Sequence, residues 1–248
     1  MKIKKYDVNQ QGVGQFDGGK ITEQKPIGFP GEGSEVKRVG PLFYWAWAKS
    51  EDAGYISLHP HQGFEIITYV ISGKAEHGDS LGTKSTVGPG GLQVMQTGSG
   101  VSHEEGFVGP DMQGFQIWFE PHLREALRRN PTYQQYEHEE FLLDNDGGLT
   151  VKEILGDDSP VSFVTDAGMW DIFIEEESTF SRELSKGRSL SILILQGSGT
   201  LQETIFDKKD FIVIEADEKD TIEIKANEAT RIIVIEVPTT VNYPLYRK

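Results

Sequence analysis

The chain has 248 residues, 37% of them hydrophobic, and a formal net charge of -15; this length accommodates two domains of about 100 to 150 residues each. An acidic surface repels phosphate backbones and anionic lipid headgroups, which argues against direct nucleic-acid binding. The absence of cysteine excludes disulfides, thiolate nucleophiles and zinc–thiolate sites, so any metal must bind histidine and carboxylate side chains.

No segment predicts a membrane span or a secretory signal. The apolar stretches are far shorter than the roughly 20 residues that a helix needs to cross a bilayer. Residues 1–6 are basic, but they lead into polar glutamine and glycine rather than into an apolar core. We therefore expect a cytoplasmic protein without a membrane segment, and we expect it to be a monomer.

Short β-branched and aromatic runs separated by glycine predict an all-β sandwich or barrel. The candidate strands, in chain order, are residues 36–39, 64–72, 92–96, 113–120, 170–175, 189–195, 210–214, 221–224 and 231–237. Residues 121–130 differ, because helix formers follow an early proline and arginines lie near the end, where they favour the helix dipole. A short helix there would close a first β unit.

The polar residues 136–148 predict the connection to a second β unit, with the boundary near residue 140. The domains are then 1–140 and 141–248. Residues 69–76 and 194–201 each run from an apolar strand through glycine into a second strand, which favours duplication. All six histidines precede the boundary. The N-terminal domain is therefore predicted to bind metal, and the C-terminal domain to bind none.

Two short motifs offer metal ligands. In an extended chain, residues two apart point to the same side, so His59 pairs with His61 and His103 pairs with Glu105. The intervening Pro60 cannot donate to a sheet ladder and predicts a strand edge, a strand start or a bulge. Glu65 shares the parity of His61 and stays open as a rival carboxylate.

Three imidazoles and one carboxylate suit Fe(II), Mn, Ni, Cu or Zn. Four protein ligands leave a position free for water or substrate on a metal that accepts five or six, which indicates catalysis rather than a structural clamp. The remaining histidines are not expected to be ligands. His77 is predicted in a hairpin turn, His122 at the start of the helix and His138 among glutamates.

Several segments resemble the pirin family in order and spacing over residues 36–135. They are 59–65 (HPHQGFE), 76–82 (EHGDSLG), 88–90 (GPG), 95–100 (MQTGSG), 103–105 (HEE), 116–118 (QIW) and 131–134 (PTYQ). The chain departs from the family at Gln62, where a basic residue is common, and at residues 40–47, which replace the usual Asp-Pro-Phe strand. The C-terminal half matches only in its strand pattern.

The resemblance implies a bicupin, in which two tandem β-sandwich or jelly-roll barrels have a short helix between them. It also implies one metal per chain, with the ligands His59, His61, His103 and Glu105, and it implies that Glu65 is not a ligand. Fe(II) is the expected metal, with Mn, Ni, Co, Cu or Zn as alternatives. No organic cofactor is expected.

Two functions from different classes follow from this resemblance. Bacterial pirins are similar to flavonol 2,4-dioxygenases of the quercetin 2,3-dioxygenase kind, which open the heterocyclic ring with O2 and release CO. Glu105 would then take the proton of the flavonol 3-hydroxyl. The alternative is a metal-dependent, redox-sensing interaction protein, whose partner would be a protein rather than DNA because the chain is acidic. The candidates for an apolar pocket wall, many of them expected in the core, are Phe43, Trp45, Trp47, Phe64, Met95, Phe107 and Trp118.

Overall fold

A computed structural model describes all residues from 1 to 248, and most of the chain is β-strand. The first ten strands are β1 (Lys2–Tyr6), β2 (Gly12–Phe16), β3 (Ile21–Ile27), β4 (Leu42–Ser50), β5 (Ala53–His61), β6 (Glu65–Asp79), β7 (Lys84–Val87), β8 (Leu92–Gln96), β9 (Val101–Phe119) and β10 (Thr132–Tyr136). The second ten are β11 (Leu143–Asp146), β12 (Leu149–Leu155), β13 (Gly168–Ile174), β14 (Thr179–Leu184), β15 (Arg188–Gln196), β16 (Gly199–Leu201), β17 (Thr204–Phe206), β18 (Phe211–Glu215), β19 (Asp220–Ala226) and β20 (Thr230–Pro238). The predicted all-β class is confirmed.

Helical structure is confined to short pieces. The α-helix α1 spans Leu123–Ala126, and 3-10 turns cover Val8–Gln10, Asp17–Gly19 and His138–Glu140. The helix is shorter than predicted, because Arg128 and Arg129 already bond the carbonyls three residues back, as a tightened last turn does. None of these helices has the length and apolar character that crossing a bilayer requires.

The chain divides into two compact units. The N-terminal unit contains residues 11–140 and 242–248, and the C-terminal unit contains residues 1–10 and 141–241. Each terminus therefore belongs to the unit that lies at the other end of the sequence. In the C-terminal unit β1 pairs antiparallel with β18, which ties the first residues of the chain into that sheet.

The N-terminal unit is built on one large sheet with the order β10-β8-β6-β9-β4-β3-β2. Strand β5 pairs with β9 and β7 pairs with β6. Strands β6 and β9 pair antiparallel from Glu65 opposite Phe119 to Asp79 opposite His103. This long central pair carries most of the polar side chains described below.

Two local predictions fail for reasons of backbone geometry. Residues 36–39 form isolated bridges, from Val36 to Ile27 and from Val39 to Leu42, because a tight turn at Gly40, with φ of 50°, ends the extended chain. Strand β6 continues past Gly73, where the sequence predicted a strand end. The register shifts around Ser72, so this glycine, with its φ of 73°, lies in a bulge rather than in a turn.

The C-terminal unit contains a seven-stranded sheet, β1-β18-β15-β20-β13-β12-β11, and a four-stranded sheet, β14-β19-β16-β17. Its buried cluster consists of apolar side chains contributed by strands of both sheets, among them Ile172, Leu190, Ile192, Leu201, Ile222 and Ile232. Alternation along each strand directs these branched side chains inward.

Candidate metal centre

Three histidines of the N-terminal unit converge. His59 and His61 lie on β5, and His103 lies on β9 directly opposite His59. One ring nitrogen from each of the three lies within 4.8 Å of the others. The register of β5 on β9 shifts between Ile56 and His59, so a bulge, one of the three features that Pro60 predicted, lies just before the His-Pro-His motif.

Glu105 lies beside the cluster, on the same face of β9 as His103. Its Oε2 atom is 3.9 Å from His103 Nε2, and its side chain is buried. Ligands about 2.1 Å from one ion can be up to about 4 Å apart. The carboxylate is therefore within the range of an ion that His103 also binds.

Three nitrogens of the cluster lack hydrogen-bond partners. His61 Nε2 and both ring nitrogens of His103 are buried without a hydrogen bond. An unpaired buried polar atom costs free energy, and such atoms therefore call for a missing partner. His59 Nδ1 donates to the Ser57 carbonyl at 2.8 Å, which leaves Nε2 as the free electron-pair donor. These donors fit a divalent transition metal.

Polar contacts fix the Glu105 carboxylate. Gln116 Nε2 donates to Oε2 at 2.6 Å, and Thr68 Oγ1 donates to Oε1 at 3.3 Å. Gln116 Oε1 in turn accepts from Trp118 Nε1 at 3.2 Å. The Trp118 ring also packs edge-on against His61, with 4.8 Å between centroids. The carboxylate and one imidazole are thus linked through the same tryptophan.

The ionisation equilibria of the cluster favour ligation. Burial, followed by the charge of neighbouring histidines, lowers the pKa of both His61 and His103 to about 3. These imidazoles are therefore neutral at ordinary pH, as ligation requires. Burial raises the pKa of Glu105, against the hydrogen bond from Gln116. That carboxylate is thus a stronger base than an exposed one.

The rival carboxylate, Glu65, is directed away from the cluster. It is buried near the start of β6, where Gln96 Nε2 donates to its Oε1 at 2.8 Å. Thr68, which contacts Glu105, lies three residues further along and so faces the opposite side of the strand. Gly63, with φ of 81°, breaks the extended geometry on which the shared parity of Glu65 and His61 depended.

One histidine adjoins the cluster unexpectedly. His77 lies inside β6 rather than in a turn; it is buried, and its ring centroid is 5.6 Å from that of His103. The sequence analysis missed it because Gly73 was interpreted as ending the strand. Had residues 76–79 been placed on a strand antiparallel to residues 103–105, His77 would have been predicted next to the proposed ligands. His122 and His138 lie elsewhere, beside Tyr243 and in a 3-10 turn, respectively.

The apolar candidates divide into two groups. Phe64 and Trp118 pack with Met95 in one cluster and with Phe43 in another, and Trp118 also contacts the His61 ring, so this group borders the metal centre through Trp118. The remaining three form other parts of the core. Trp45 and Trp47 pack against Phe115, and Phe107 belongs to a separate buried cluster.

Two open surface pockets reach the site residues. A pocket of about 540 Å³ is lined by His61, with Gln62, Ser80 and residues 100–102. A second pocket, of about 760 Å³, is lined by His77 and Glu105 and by exposed side chains such as Tyr55 and Leu58. Solvent-accessible space therefore reaches His61 of the cluster from one pocket, and His77 and Glu105 beside the cluster from the other.

The fold and the histidine cluster together define a bicupin with one candidate metal centre, in its N-terminal unit. The profile of the family described as Pirin matches residues 44–119, and the profile described as Quercetinase C-terminal cupin domain matches residues 155–237. The chain thus contains a pirin domain followed by a C-terminal cupin domain of the quercetinase type.

Known relatives agree with this assignment. A pirin-like protein from Caulobacter vibrioides is 28% identical over 196 residues, which cover 75% of this chain and 70% of the relative. The matched segment covers 66% of a protein from Pseudomonas aeruginosa named putative quercetin 2,3-dioxygenase PA2418, and 64% of a pirin-like protein from Solanum lycopersicum. The chain thus aligns with about two thirds of these proteins.

Two solved structures share the fold. The bacterial pirin YhhW from Escherichia coli in complex with nickel(II) has a TM-score of 0.79 and 22% identity, covering 96% of this chain and 99% of that one. Quercetin 2,3-dioxygenase from Acinetobacter baumannii has a TM-score of 0.82 and 19% identity, covering 99% and 88%. At these identities the likeness supports the architecture.

Proposed function

We propose that the chain binds one divalent transition metal through His59, His61, His103 and Glu105. The proposal rests on one observation, the convergence of buried imidazole nitrogens that have no hydrogen-bond partner. Three nitrogens and one carboxylate oxygen suit Fe(II), our proposed metal, and also Mn, Ni, Co, Cu or Zn. The related YhhW structure contains nickel(II), which agrees with this class of ion.

We further propose that the loaded protein is a dioxygenase that opens the ring of a flavonol with O2 and releases CO. The C-terminal profile is named for quercetinase, and a structural neighbour is a quercetin 2,3-dioxygenase. When bound, the metal would supply Lewis acidity that favours ionisation of the flavonol 3-hydroxyl. Residues of the chain would accept the proton, orient the flavonol and exclude water.

Glu105 is proposed to accept the proton of that hydroxyl. Its burial raises its pKa, and a carboxylate with a raised pKa is a better general base near neutral pH. Its Oε1 atom has the longer hydrogen bond, 3.3 Å from Thr68, against 2.6 Å for Oε2 and Gln116. We assign Oε1 to the proton transfer for that reason.

Trp118 and Phe64 are proposed to orient the substrate and to exclude water. Trp118 packs against the His61 ring and Phe64 packs against Trp118, and such an aromatic surface can stack on a planar flavonol while keeping the reacting ring dry. The C-terminal domain, residues 141–248, is proposed to hold no metal. It contains no histidine and no cysteine, and carboxylates alone form a poor site for a transition metal.

Oxygen uptake by iron-loaded protein tests this function. Full-length protein purified without a histidine tag is loaded anaerobically with Fe(II), analysed for iron content, and mixed with quercetin in aerated buffer. We expect O2 consumption together with an equal amount of CO. Glu105→Gln should lose the activity, whereas the matched variant Glu65→Gln should keep it. Iron-loaded protein that consumes no O2 with any of a panel of flavonols would contradict the oxygenase and leave the interaction protein as the better interpretation.

A further inference from the structure

His77 and Asp79 lie directly opposite two of the proposed ligands. In the antiparallel pairing of β6 with β9, His77 is opposite Glu105 and Asp79 is opposite His103. Residues opposite one another on adjacent strands point to the same face, with about 5 Å between their Cβ atoms. This pair therefore lines one side of the candidate metal centre, although neither residue is needed as a ligand.

The His77 ring is held by contacts on separate sides. Its Nε2 atom is 3.0 Å from Asp79 Oδ2, and its face stacks on the Tyr133 ring at 4.3 Å with an interplanar angle of 20°. Tyr133 is fixed in turn, because its hydroxyl lies 2.5 Å from Ser85 Oγ and donates to Gln135 Oε1 at 3.1 Å. The position of the His77 ring is thus determined by its hydrogen bond to Asp79 and by its packing on Tyr133.

The Asp79 carboxylate is held equally firmly. Its Oδ1 atom accepts from the backbone N–H groups of Leu81 at 2.9 Å and Thr83 at 3.0 Å. Both the Asp79 and the His77 side chains are almost completely buried. A carboxylate that accepts on both oxygens requires His77 Nε2 to be the donor, so Asp79 selects the tautomer of His77 as well as its orientation.

His103 is the ligand that needs outside support. His59 is oriented by its hydrogen bond to the Ser57 carbonyl, but neither ring nitrogen of His103 has a hydrogen bond. The orientation of His103 consequently depends on ring packing. Beyond its contacts with the other two cluster histidines, its ring lies against that of His77.

We propose that His77 is a positioning residue of the metal centre, which holds the His103 ring and the adjacent Glu105 side chain in place and is itself fixed by Asp79 and Tyr133. The inference rests on the proposed metal site. It assigns a role to the EHGD segment that neither metal ligation nor proton transfer requires. Partners of this kind typically change metal affinity by 10- to 100-fold, roughly, when they are removed.

Titration of the full-length, metal-free protein with Co(II) tests the proposal, because the visible bands of Co(II) report ligand geometry as well as affinity. His77→Gln removes the ring beside His103, and we expect a Kd at least about tenfold higher and shifted bands. Asp79→Asn should act in the same direction with a smaller effect. Glu76→Gln is the matched control, because it lies on the same strand, next to His77 and on the other face; its Kd and bands should be those of the wild type.

A double variant separates positioning from a general loss of structure. His77→Phe with Asp79→Asn keeps a ring against His103 without leaving a buried carboxylate unpaired, so its Kd should recover toward the wild-type value. A Kd no better than that of His77→Gln overturns the positioning role. If His77→Gln fails to fold, the Asp79→Asn variant tests the proposal instead. A Kd and bands in Asp79→Asn equal to those of the wild type then overturn it. Wild-type protein that binds no Co(II) contradicts the metal site itself, which is a distinguishable result.

Discussion

Gln116 Nε2 lies 2.6 Å from Glu105 Oε2 and donates to it, while the other end of the same amide accepts from Trp118. The amide is buried, so neither hydrogen bond can be replaced easily by water. Gln116 therefore connects the proposed catalytic carboxylate to the aromatic ring that packs against His61. The residue lies within the QIW segment of the pirin resemblance, but its role becomes visible only in three dimensions.

Replacing Gln116 by leucine should weaken metal binding. The substitution removes the donor that fixes Glu105 and leaves two buried polar groups unpaired, each of which costs about 1–3 kcal/mol. We expect a Kd for Co(II) raised by roughly tenfold or more. Gln113→Leu, on the same strand away from the cluster, serves as the control. Isothermal titration of both variants checks the prediction, and equal affinities would show that Glu105 needs no such support.

The two carboxylates near the histidines should behave differently. Glu105→Gln removes an anionic oxygen beside His103 and should lower metal affinity strongly, whereas Glu65→Gln should leave it nearly unchanged because Glu65 is bound by Gln96 on the other face of β6. Metal content after dialysis against a weak chelator distinguishes them. Occupancy that survives Glu105→Gln but collapses in Glu65→Gln would assign the ligand to Glu65.

The candidate site was more predictable than the strand boundaries. The period of two along a strand correctly indicated that His59 and His61 point together, and His103 joins them by direct cross-strand pairing. The same rule misled at Glu65, because Gly63 adopts a left-handed conformation that resets the alternation. Such a glycine cannot be distinguished from a turn glycine in a single sequence.

Long-range features left no local signal. Strand β1 pairs with β18, more than two hundred residues away, and nothing in the residues 1–10 indicates that they belong to the C-terminal unit. By contrast, strand β8 has the predicted bounds of residues 92–96, because its apolar run is short and is flanked by glycine on one side. The residues of a short segment predict that it forms a strand, whereas the strand with which it pairs depends on the packing of the whole chain.

The stability of the metal-free protein should fall on acidification. The pKa of His61 and of His103 is about 3 in the folded chain and about 6.5 when unfolded, so the unfolded chain binds more protons between these values. The ionisation of these two histidines leaves the free energy of unfolding unaffected above about pH 6.5. It falls as the pH drops from there towards 3, by up to about 1.4 kcal/mol per pH unit for each imidazole. The raised pKa of Glu105 opposes this trend.

Urea unfolding at a series of pH values between 4 and 7, roughly, measures this slope. The double variant His61→Leu with His103→Leu lacks both imidazoles and should show a flatter dependence over the same range. Equal slopes for the two proteins would mean that these histidines are not held neutral by burial. Saturating Co(II) near pH 7 should stabilise the wild type and leave the variant unchanged.

Each chain should bind one transition-metal ion. The candidate ligands all lie in the N-terminal unit, and residues 141–248 contain no histidine or cysteine. Elemental analysis after loading with Co(II) and desalting should give one equivalent per chain. Replacing His59 and His61 together by glutamine should bring the content close to zero. Two retained equivalents, or one in that variant, would contradict a single N-terminal site.

Gly63 should tolerate alanine poorly. Its φ is 81°, and a Cβ atom there would lie 2.8 Å from Leu123 Cδ2. Positive φ is costly for a residue with a side chain, so Gly63→Ala should lower the free energy of unfolding by about 1–3 kcal/mol. Gly88→Ala, where φ is not positive and no atom lies within 4 Å, is the control and should be close to neutral. In a Leu123→Ala background the contact is absent but the backbone strain stays. Gly63→Ala should therefore lower the free energy of unfolding by less in that background than in the wild type, but still measurably. Since Gly63 separates His61 from Phe64, the same variant should also raise the Kd for Co(II), measured by titration. Unchanged stability in urea unfolding would show that the chain reaches a different conformation at this position without cost.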